Sequence, residues 1–246
     1  MKTILYASTS AAPITANLEA GQVGLVSHPG SSESLNEDAA LICGRGDSLL
    51  FAVADGMGGV PGGDRAARTV VESLADHFLA GARAEEAIEI ASDAVRALRG
   101  PACTLVVGTL LEGQLHTFHV GDAQAILIGG RGTVRGVTMP HSVVGHATEA
   151  GILHADEASD HPDRHVVTNA VGEALLRVER TRWRGLKRRD TLLLASDGLF
   201  DALSVEAIAE RAHRRPLARM MSDLLAEARE SPTSHDDLTM IVFRPG

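Results

Sequence analysis

Apolar and polar residues alternate along this chain with two different periods. Short apolar runs bounded by glycine-containing turns predict buried strands, and apolar residues three and four positions apart predict amphipathic helices. Strands are predicted over 22–27, 39–43, 49–54, 103–111, 114–120, 123–128, 133–138, 176–182, 191–195 and 238–243. Helices are predicted from Asp64 to Gly81 and over 85–98, 205–213 and 217–230, with a shorter piece near 148–153.

The order of these elements predicts the fold class. Short turns join the four strands between residues 103 and 138, which favours an antiparallel meander. Hairpin strands interleaved with paired helices predict an α+β fold, a four-layer αββα sandwich with two antiparallel β-sheets packed face to face and helices outside. We expect the domain to span residues 21–246. Residues 1–20, rich in Ala, Ser and Thr, are expected to form a loose N-terminal segment.

Composition narrows the range of partners. The chain has 246 residues, a formal net charge of −9 and only 3% aromatic residues, so nucleic acid is a poor candidate. Its apolar runs stay short of the ~18 residues that a membrane span requires. The two cysteines, Cys43 and Cys103, form no disulfide framework and are expected to be buried free thiols. We therefore expect a cytoplasmic monomer without nucleic-acid or membrane partners.

Acidic residues stand at the ends of several predicted strands. Because crowded carboxylates repel one another, a pair of divalent cations is the economical way to neutralise them. Two such ions suit the transfer of a phosphoryl group to water. Gly56 has no Cβ, so its carbonyl can approach a metal. A single Asp-Gly pair is an ordinary turn, and the argument depends on the whole set: Glu37, Asp38, Asp55, Asp122, Asp197, Asp236 and Asp237.

Five short motifs in order along the chain carry a family resemblance. They are Asn36-Glu37-Asp38, Val53-Ala54-Asp55-Gly56-Met57-Gly58-Gly59, Val120-Gly121-Asp122, Ser196-Asp197-Gly198-Leu199 and His235-Asp236-Asp237-Leu238-Thr239. Together they resemble the motifs of the PP2C-type (PPM) metal-dependent protein serine/threonine phosphatases, in the form found in the bacterial branch. The resemblance extends from about residue 21 to residue 243.

The resemblance implies metal ligands. Asp55 would bridge two Mn²⁺ or Mg²⁺ ions, one of them also bound by the Gly56 carbonyl and, partly through water, by Glu37. Asp197 and Asp236 would hold the other ion. A third, looser ion would involve Asp122.

The resemblance also implies the reaction and the supporting residues. A water that bridges the two metals would be the nucleophile, so no side chain would attack phosphorus. Asp38 and Asp237 would support the cluster from behind. The substrates would be phosphorylated proteins, and the chain would oppose a serine/threonine kinase.

Residues 141–172 resemble the family's flap, a loop over the site. This segment includes His141, Ser142 and His161. Its histidines invite a zinc interpretation, but none has ligand spacing with a cysteine, so a polar loop is the preferred interpretation.

One departure from the family bears on catalysis. Most members have an arginine that grips the substrate phosphate where this chain has Glu33. A carboxylate cannot donate a hydrogen bond to phosphate and repels it. Two hypotheses therefore stand: an active phosphatase, favoured by the intact Asp55, Asp197 and Asp236, and a pseudophosphatase that acts as a binding module, favoured by Glu33.

Overall fold

The computed structural model describes residues 3–10, 12–31, 35–57, 61–154, 157, 161–213, 215–232 and 236–246. These residues form twelve strands and six helices. The strands are β1 (Thr3–Ala7), β2 (Ile14–Leu18), β3 (Gly21–His28), β4 (Asp38–Arg45), β5 (Ser48–Gly56), β6 (Cys103–Leu111), β7 (Gln114–Val120), β8 (Gln124–Ile128), β9 (Val134–Val137), β10 (Glu179–Trp183), β11 (Thr191–Ala195) and β12 (Leu238–Pro245). The helices are α1 (Gly63–Ala80), α2 (Ala84–Arg96), α3 (Val143–Glu149), α4 (Asp197–Ala202), α5 (Val205–Ala212) and α6 (Leu217–Glu230).

The strands form two six-stranded antiparallel sheets. One sheet has the order β1-β4-β5-β6-β7-β10, and the other has the order β2-β3-β12-β11-β8-β9. The predicted α+β architecture of two antiparallel sheets with helices outside is confirmed.

Three apolar clusters fill the three interfaces of this four-layer sandwich. One lies between the first sheet and the helices α1 and α2, and another lies between the second sheet and the helices α5 and α6. The third fills the slot between the sheets, where the rings of Phe51 and Phe243 stack with centroids 5.2 Å apart. Aliphatic side chains supply most of this core, as the low aromatic content requires.

The N-terminal residues differ from the expectation. Where a loose segment was expected over residues 1–20, Thr3–Ala7 pairs with β4 and Ile14–Leu18 pairs with β3. Both strands lie at sheet edges, where backbone pairing to one neighbour holds a segment of weak apolar periodicity. The proposed domain boundary at residue 21 stays a prediction.

The predicted meander is wrong, and the difference is important for the site. β7 pairs with β6 and β10, whereas β8 pairs with β9 and β11, so the chain changes sheets after Val120. Gly121 makes this crossing with φ +89°, a conformation that favours glycine. The crossing places Asp122 at the mouth of the slot between the sheets.

The flap helix is also displaced from its predicted position. Helix α3 covers Val143–Glu149 instead of 148–153, because Ser142 caps it: its Oγ accepts a hydrogen bond of 2.9 Å from the Gly145 N–H. Cys43 and Cys103 are free and buried, as predicted. No helix in the described ranges is both long and apolar enough to cross a bilayer.

Candidate metal centre

The strand register brings the first two aspartates face to face. Asp38 opens β4 and lies directly opposite Asp55 near the end of β5. Their neighbours Ala40 and Val53 fill the slot between the sheets. Since alternate side chains share a face of a sheet, both carboxylates point into the mouth of that slot.

Other elements bring further acidic groups to the same mouth. Asp122 follows β7, Asp197 begins α4 directly after β11, and Asp236 precedes β12. A cleft of about 490 Å³ opens here. The sequence-predicted residues that line it are Glu37, Asp55, Gly56, Asp122, Asp197 and Asp236.

Two glycines let the backbone close up around this cleft. A Cβ on Gly56 would lie 2.3 Å from the carbonyl carbon of Gly63, so the end of β5 and the start of α1 can touch only without side chains. A Cβ on Gly63 would lie 2.8 Å from Glu37 Oε1. Any larger residue at either position would push Glu37 or helix α1 away from the cluster.

The electrostatics of the cluster oppose ionisation of its carboxylates. Burial, followed by the neighbouring charges of Asp197 and Asp38, raises the pKa of Asp55 well above its usual range. Burial, followed by the neighbouring charge of Asp122, also raises the pKa of Asp197 well above its usual range. Burial is also the main cause that raises the pKa of Asp122 to about 6.

Two carboxylate oxygens of the cluster are buried without a described hydrogen-bond partner, one on Asp38 and one on Asp197. An unpaired buried carboxylate oxygen is costly. Oxygens of this kind are the ligands that hard divalent cations prefer. The residues present therefore fit a divalent metal centre.

Asp38 and Asp237 lie behind the cleft and not on its surface. Asp38 is 2% exposed, and its Oδ2 accepts a hydrogen bond of 2.9 Å from Ser196 Oγ. Asp237 accepts hydrogen bonds from the Gly30 N–H at 2.8 Å and the Glu37 N–H at 2.5 Å. The Asp237 carboxylate thus fixes the backbone that carries Glu37.

The three predicted flap residues lie away from the cleft lining. His141 is buried, and its Nδ1 accepts a hydrogen bond of 3.2 Å from the Gly121 N–H. Burial, with a contribution from His119, lowers the pKa of His141 to about 4. Ser142 caps α3, and His161 Nδ1 accepts a hydrogen bond from the Asp163 N–H at 3.1 Å. Glu33 lies outside the described residues.

Sequence reasoning missed four polar lining residues: Thr104, Arg164, His165 and Asp201. Asp201 stands four residues after Asp197 on α4, and this spacing places both on one face of a helix. His165, Asp197 and Asp201 bring potential ligand atoms within 4.8 Å of one another. The i, i+4 spacing was the available signal, but it required a helix that the sequence pattern did not reveal.

Arg164 gives the cleft a positive charge. Its Nε lies 3.7 Å from Asp201 Oδ1, and His165 Nδ1 lies 3.3 Å from Asp201 Oδ2. Among the described lining residues, Arg164 carries the one permanent positive charge. The arrangement thus offers oxygen ligands on the floor of the cleft and a guanidinium at its rim.

Comparison with known proteins agrees with this geometry. The serine/threonine phosphatase stp of Listeria monocytogenes is 27% identical over 211 residues, which cover 78% of this chain and 83% of that protein. The PPM Ser-Thr phosphatase MsPP from Mycobacterium smegmatis, crystallised with cacodylate, aligns with a TM-score of 0.81 and 28% identity over 94% of this chain and 100% of its own.

A further solved structure and a family model also match this chain. The catalytic domain of the phosphatase PstP, crystallised with two manganese ions, aligns over 99% of both chains with a TM-score of 0.72 and 23% identity, which shows the shared fold. A family model for protein phosphatase 2C matches residues 27–239. This chain belongs to the protein phosphatase 2C family.

Proposed function

We propose that this chain is a metal-dependent protein phosphatase that hydrolyses phosphoserine and phosphothreonine in proteins. The observation that carries the proposal is the convergence of five separate chain segments on one carboxylate-lined cleft. Family membership supports the same reaction. No described feature of the cleft favours the alternative of an inactive binding module.

We propose the ligand assignment that the family resemblance implies, and position in the cleft supports it. Asp55 would bridge two Mn²⁺ or Mg²⁺ ions, with the Gly56 carbonyl and Glu37 on one ion and Asp197 and Asp236 on the other. The support is that all five line the cleft and that one buried oxygen of Asp197 has no hydrogen-bond partner among the described residues. Asp122 and Asp201 would contribute to a third, looser site. One buried Asp38 oxygen lacks a partner within the described ranges, and Asp38 lies opposite Asp55 in the strand register; both observations support a place for Asp38 directly behind the bridging Asp55.

The chemistry divides between the ions and the chain. When bound, the ions would supply a water of lowered pKa and neutralise charge that develops on the phosphoryl oxygens. The carboxylates position the ions, and the buried Asp38 and Asp237 keep the strand ends that carry Asp55 and Glu37 in place. No side chain is required to attack phosphorus.

Arg164 can supply the positive charge for the substrate phosphate that Glu33 cannot supply. A guanidinium can form two parallel hydrogen bonds with a phosphate. Arg164 stands at the rim of the cleft, where its Nε lies 3.7 Å from Asp201 Oδ1. We therefore assign the substrate phosphate to Arg164 and the metals together. We also propose that the protein acts as a monomer and opposes a serine/threonine kinase.

Two measurements test the function. In the first, Mn²⁺ is titrated calorimetrically into EDTA-treated protein, with Asp55→Asn as the test variant and Asp76→Asn, an exposed change on α1, as the control. We expect Mn²⁺ binding in the wild type and the control and its loss in Asp55→Asn. In the second, phosphate release is measured from phosphoserine, phosphothreonine and phosphotyrosine peptides. Mn²⁺ binding without release from any peptide would favour the pseudophosphatase.

A further inference from the structure

One edge of this acidic protein is strongly basic. The chain has 32 Asp and Glu residues against 23 Lys and Arg, yet five cations cluster in two neighbouring turns, after β8 and after β10. All five side chains are exposed. We call this group the basic edge: Arg131, Arg184, Lys187, Arg188 and Arg189.

The fold brings the two turns together. β9 and β10 are edge strands of different sheets, and contacts between β9 and the turn after β10 place them on the same side of the sandwich. Arg135 of β9 joins them, because its guanidinium donates to the carbonyls of Arg184 at 2.8 Å and Gly185 at 3.1 Å and pairs with the buried Asp190. A concave cavity of about 790 Å³ lies between the turns, lined in part by Arg131, Lys187, Arg188 and Arg189.

The cations of the basic edge differ from their neighbours in their partners. Arg135 pairs with Asp190 and Arg180 with Glu85, and Arg182 donates a hydrogen bond to the neutral amide of Gln114. By contrast, no ion pair with a described carboxylate involves any of the five cations of the basic edge. Like charges without opposite charges beside them repel one another, so a negatively charged partner would reduce the electrostatic repulsion among the five cations.

Strand β10 leads from the basic edge to the base of the flap. β10 begins at Glu179, whose Oε2 lies 3.5 Å from Nε2 of His141 at the base of the flap. It ends at Trp183, directly before Arg184. Its five residues span about 17 Å. Within the described part of the chain β10 pairs only with β7, so its other edge presents free backbone donors and acceptors.

We propose that the basic edge binds an acidic, extended segment of the substrate phosphoprotein, about five to eight residues from the phosphorylated residue. This proposal rests on the proposed function, since it names the substrate class of the same site. An extended peptide that leaves the cleft beside the flap can follow the open edge of β10 and place its carboxylates among the five cations.

The structure favours a peptide over other polyanions. A membrane surface suits a flat or convex face with exposed aromatic residues, whereas this face is concave. Single-stranded nucleic acid requires stacking aromatics, and Trp183, the aromatic residue beside the patch, is partly buried with its Nε1–H donating to Thr117 Oγ1 at 3.0 Å.

The test uses two phosphothreonine peptides of equal length. One carries four Glu residues five to eight positions from the phosphothreonine, and the other carries Gln at the same positions. The pair is made twice, once with these residues on the N-terminal side of the phosphothreonine and once with them on the C-terminal side. With the Mn²⁺-loaded wild type at low salt, we expect kcat/KM to be about tenfold higher for the Glu peptide than for the Gln peptide, through a lower KM. This preference should shrink in about 0.5 M NaCl, because salt at that concentration screens exposed charges.

Charge-reversal variants locate the effect. Arg184→Glu/Arg188→Glu/Arg189→Glu should abolish the preference, and the corresponding Gln triple variant, which adds no new repulsion, should reduce it. Arg68→Glu, an exposed change on α1, is the matched control and should retain it. Hydrolysis of an aryl phosphate should be unchanged in all of them.

The outcomes separate the two proposals. Equal kcat/KM for the Glu and Gln peptides in the wild type would overturn the docking proposal while leaving the phosphatase intact. Binding of phosphatidylserine vesicles or single-stranded DNA that the triple variants lose, without any peptide preference, would also overturn it. If the aryl phosphate itself were not hydrolysed, the proposed function would fail. Fluorescence anisotropy with the labelled Glu and Gln peptides would then decide the docking proposal alone.

Discussion

The hydroxyl of Ser196 donates a hydrogen bond of 2.9 Å to Oδ2 of Asp38, and this contact joins the two sheets directly behind the carboxylate cluster. Ser196 follows β11 in one sheet, and Asp38 opens β4 in the other. The same Ser196 oxygen accepts a hydrogen bond of 2.9 Å from the Thr239 N–H. The contact fixes the separation of the strand ends that carry the proposed metal ligands.

Replacing Ser196 by Ala should therefore weaken the fold. The change leaves the buried N–H of Thr239 without its acceptor and removes one hydrogen bond from Asp38, which should cost about 1–3 kcal/mol of unfolding free energy. Urea unfolding of the Mn²⁺-loaded protein measures this cost. Ser204→Ala, which removes the cap of α5 at an exposed contact, is a comparison expected to cost about 1 kcal/mol or less. A Ser196→Ala protein as stable as the wild type would contradict the role assigned to the contact.

The metal-free protein should lose stability as pH rises. In the folded state burial raises the pKa of Asp38 to about 7 and that of Asp122 to about 6, whereas the unfolded values lie near 4. Between about pH 4 and pH 7 the folded state thus holds protons that the unfolded state has released. Stability from these groups is present at the acid end and declines through that window.

Urea unfolding in EDTA at pH 5, 6, 7 and 8 measures the decline, which should total at least about 2 kcal/mol. Asp122→Asn removes one of the titrating groups and should flatten the curve. Saturating Mn²⁺ should restore stability most strongly at pH 8, because the ions bind the ionised carboxylates. A metal-free protein that gained stability from pH 5 to pH 8 would contradict this account of the cluster.

Removing a proposed ligand should strongly lower turnover without unfolding the protein. We expect Asp197→Ala and Asp236→Ala each to lower kcat by at least about 100-fold, since even groups that only support metal ligands commonly contribute 10- to 100-fold. Asp197→Ala should also stabilise the metal-free protein at pH 8, because it relieves repulsion with Asp55. Near-normal kcat in either variant would exclude that residue as a ligand.

Phosphate recognition should depend on Arg164. Arg164→Ala should raise KM for a phosphothreonine peptide by about tenfold with little change in kcat, since a contact made equally in the ground and transition states is uniform binding. Arg164→Lys should recover only part of the loss, because an ammonium cannot form the two parallel hydrogen bonds. An unchanged KM in Arg164→Ala would remove Arg164 from the phosphate site.

Glu33→Arg tests the departure from the family pattern. If position 33 faces the phosphate, the change replaces a repulsive charge by a bidentate donor and should lower KM by roughly tenfold, with kcat nearly constant. The comparison variant Glu33→Gln removes only the repulsion and should give a smaller gain. Equal KM in all three proteins would mean that residue 33 does not face the phosphate.

The sequence predicts local elements better than it predicts their partners. Strand Thr191–Ala195 and helix Leu217–Glu230 were predicted with the bounds that the structure has, because an apolar run or a 3.6-residue period is a local signal. The change of sheet at Gly121 was not predicted, since which strand lies beside which depends on long-range packing. Asp122 was identified as acidic and at a strand end, but only the change of sheet brings it to the slot.

The residues of the candidate site also differ in how well the sequence predicts them. Asp55 and Asp197 were identifiable because each follows a strongly apolar run of residues. Asp201 and Arg164 were not. Asp201 lies on a six-residue helix too short for a periodic pattern, and Arg164 lies on a loop within the flap, whose path the apolar pattern does not predict. Sequence reasoning thus finds groups held by strands more readily than groups carried by loops.

The most direct test of the central claim is phosphate release from a phosphothreonine peptide by EDTA-treated protein as Mn²⁺ is added back. We predict no release above background without metal and a saturable return of activity with Mn²⁺, because the water nucleophile and the charge stabilisation both require the ions. Full hydrolysis in metal-free buffer would contradict the claim that this carboxylate cluster works through divalent cations.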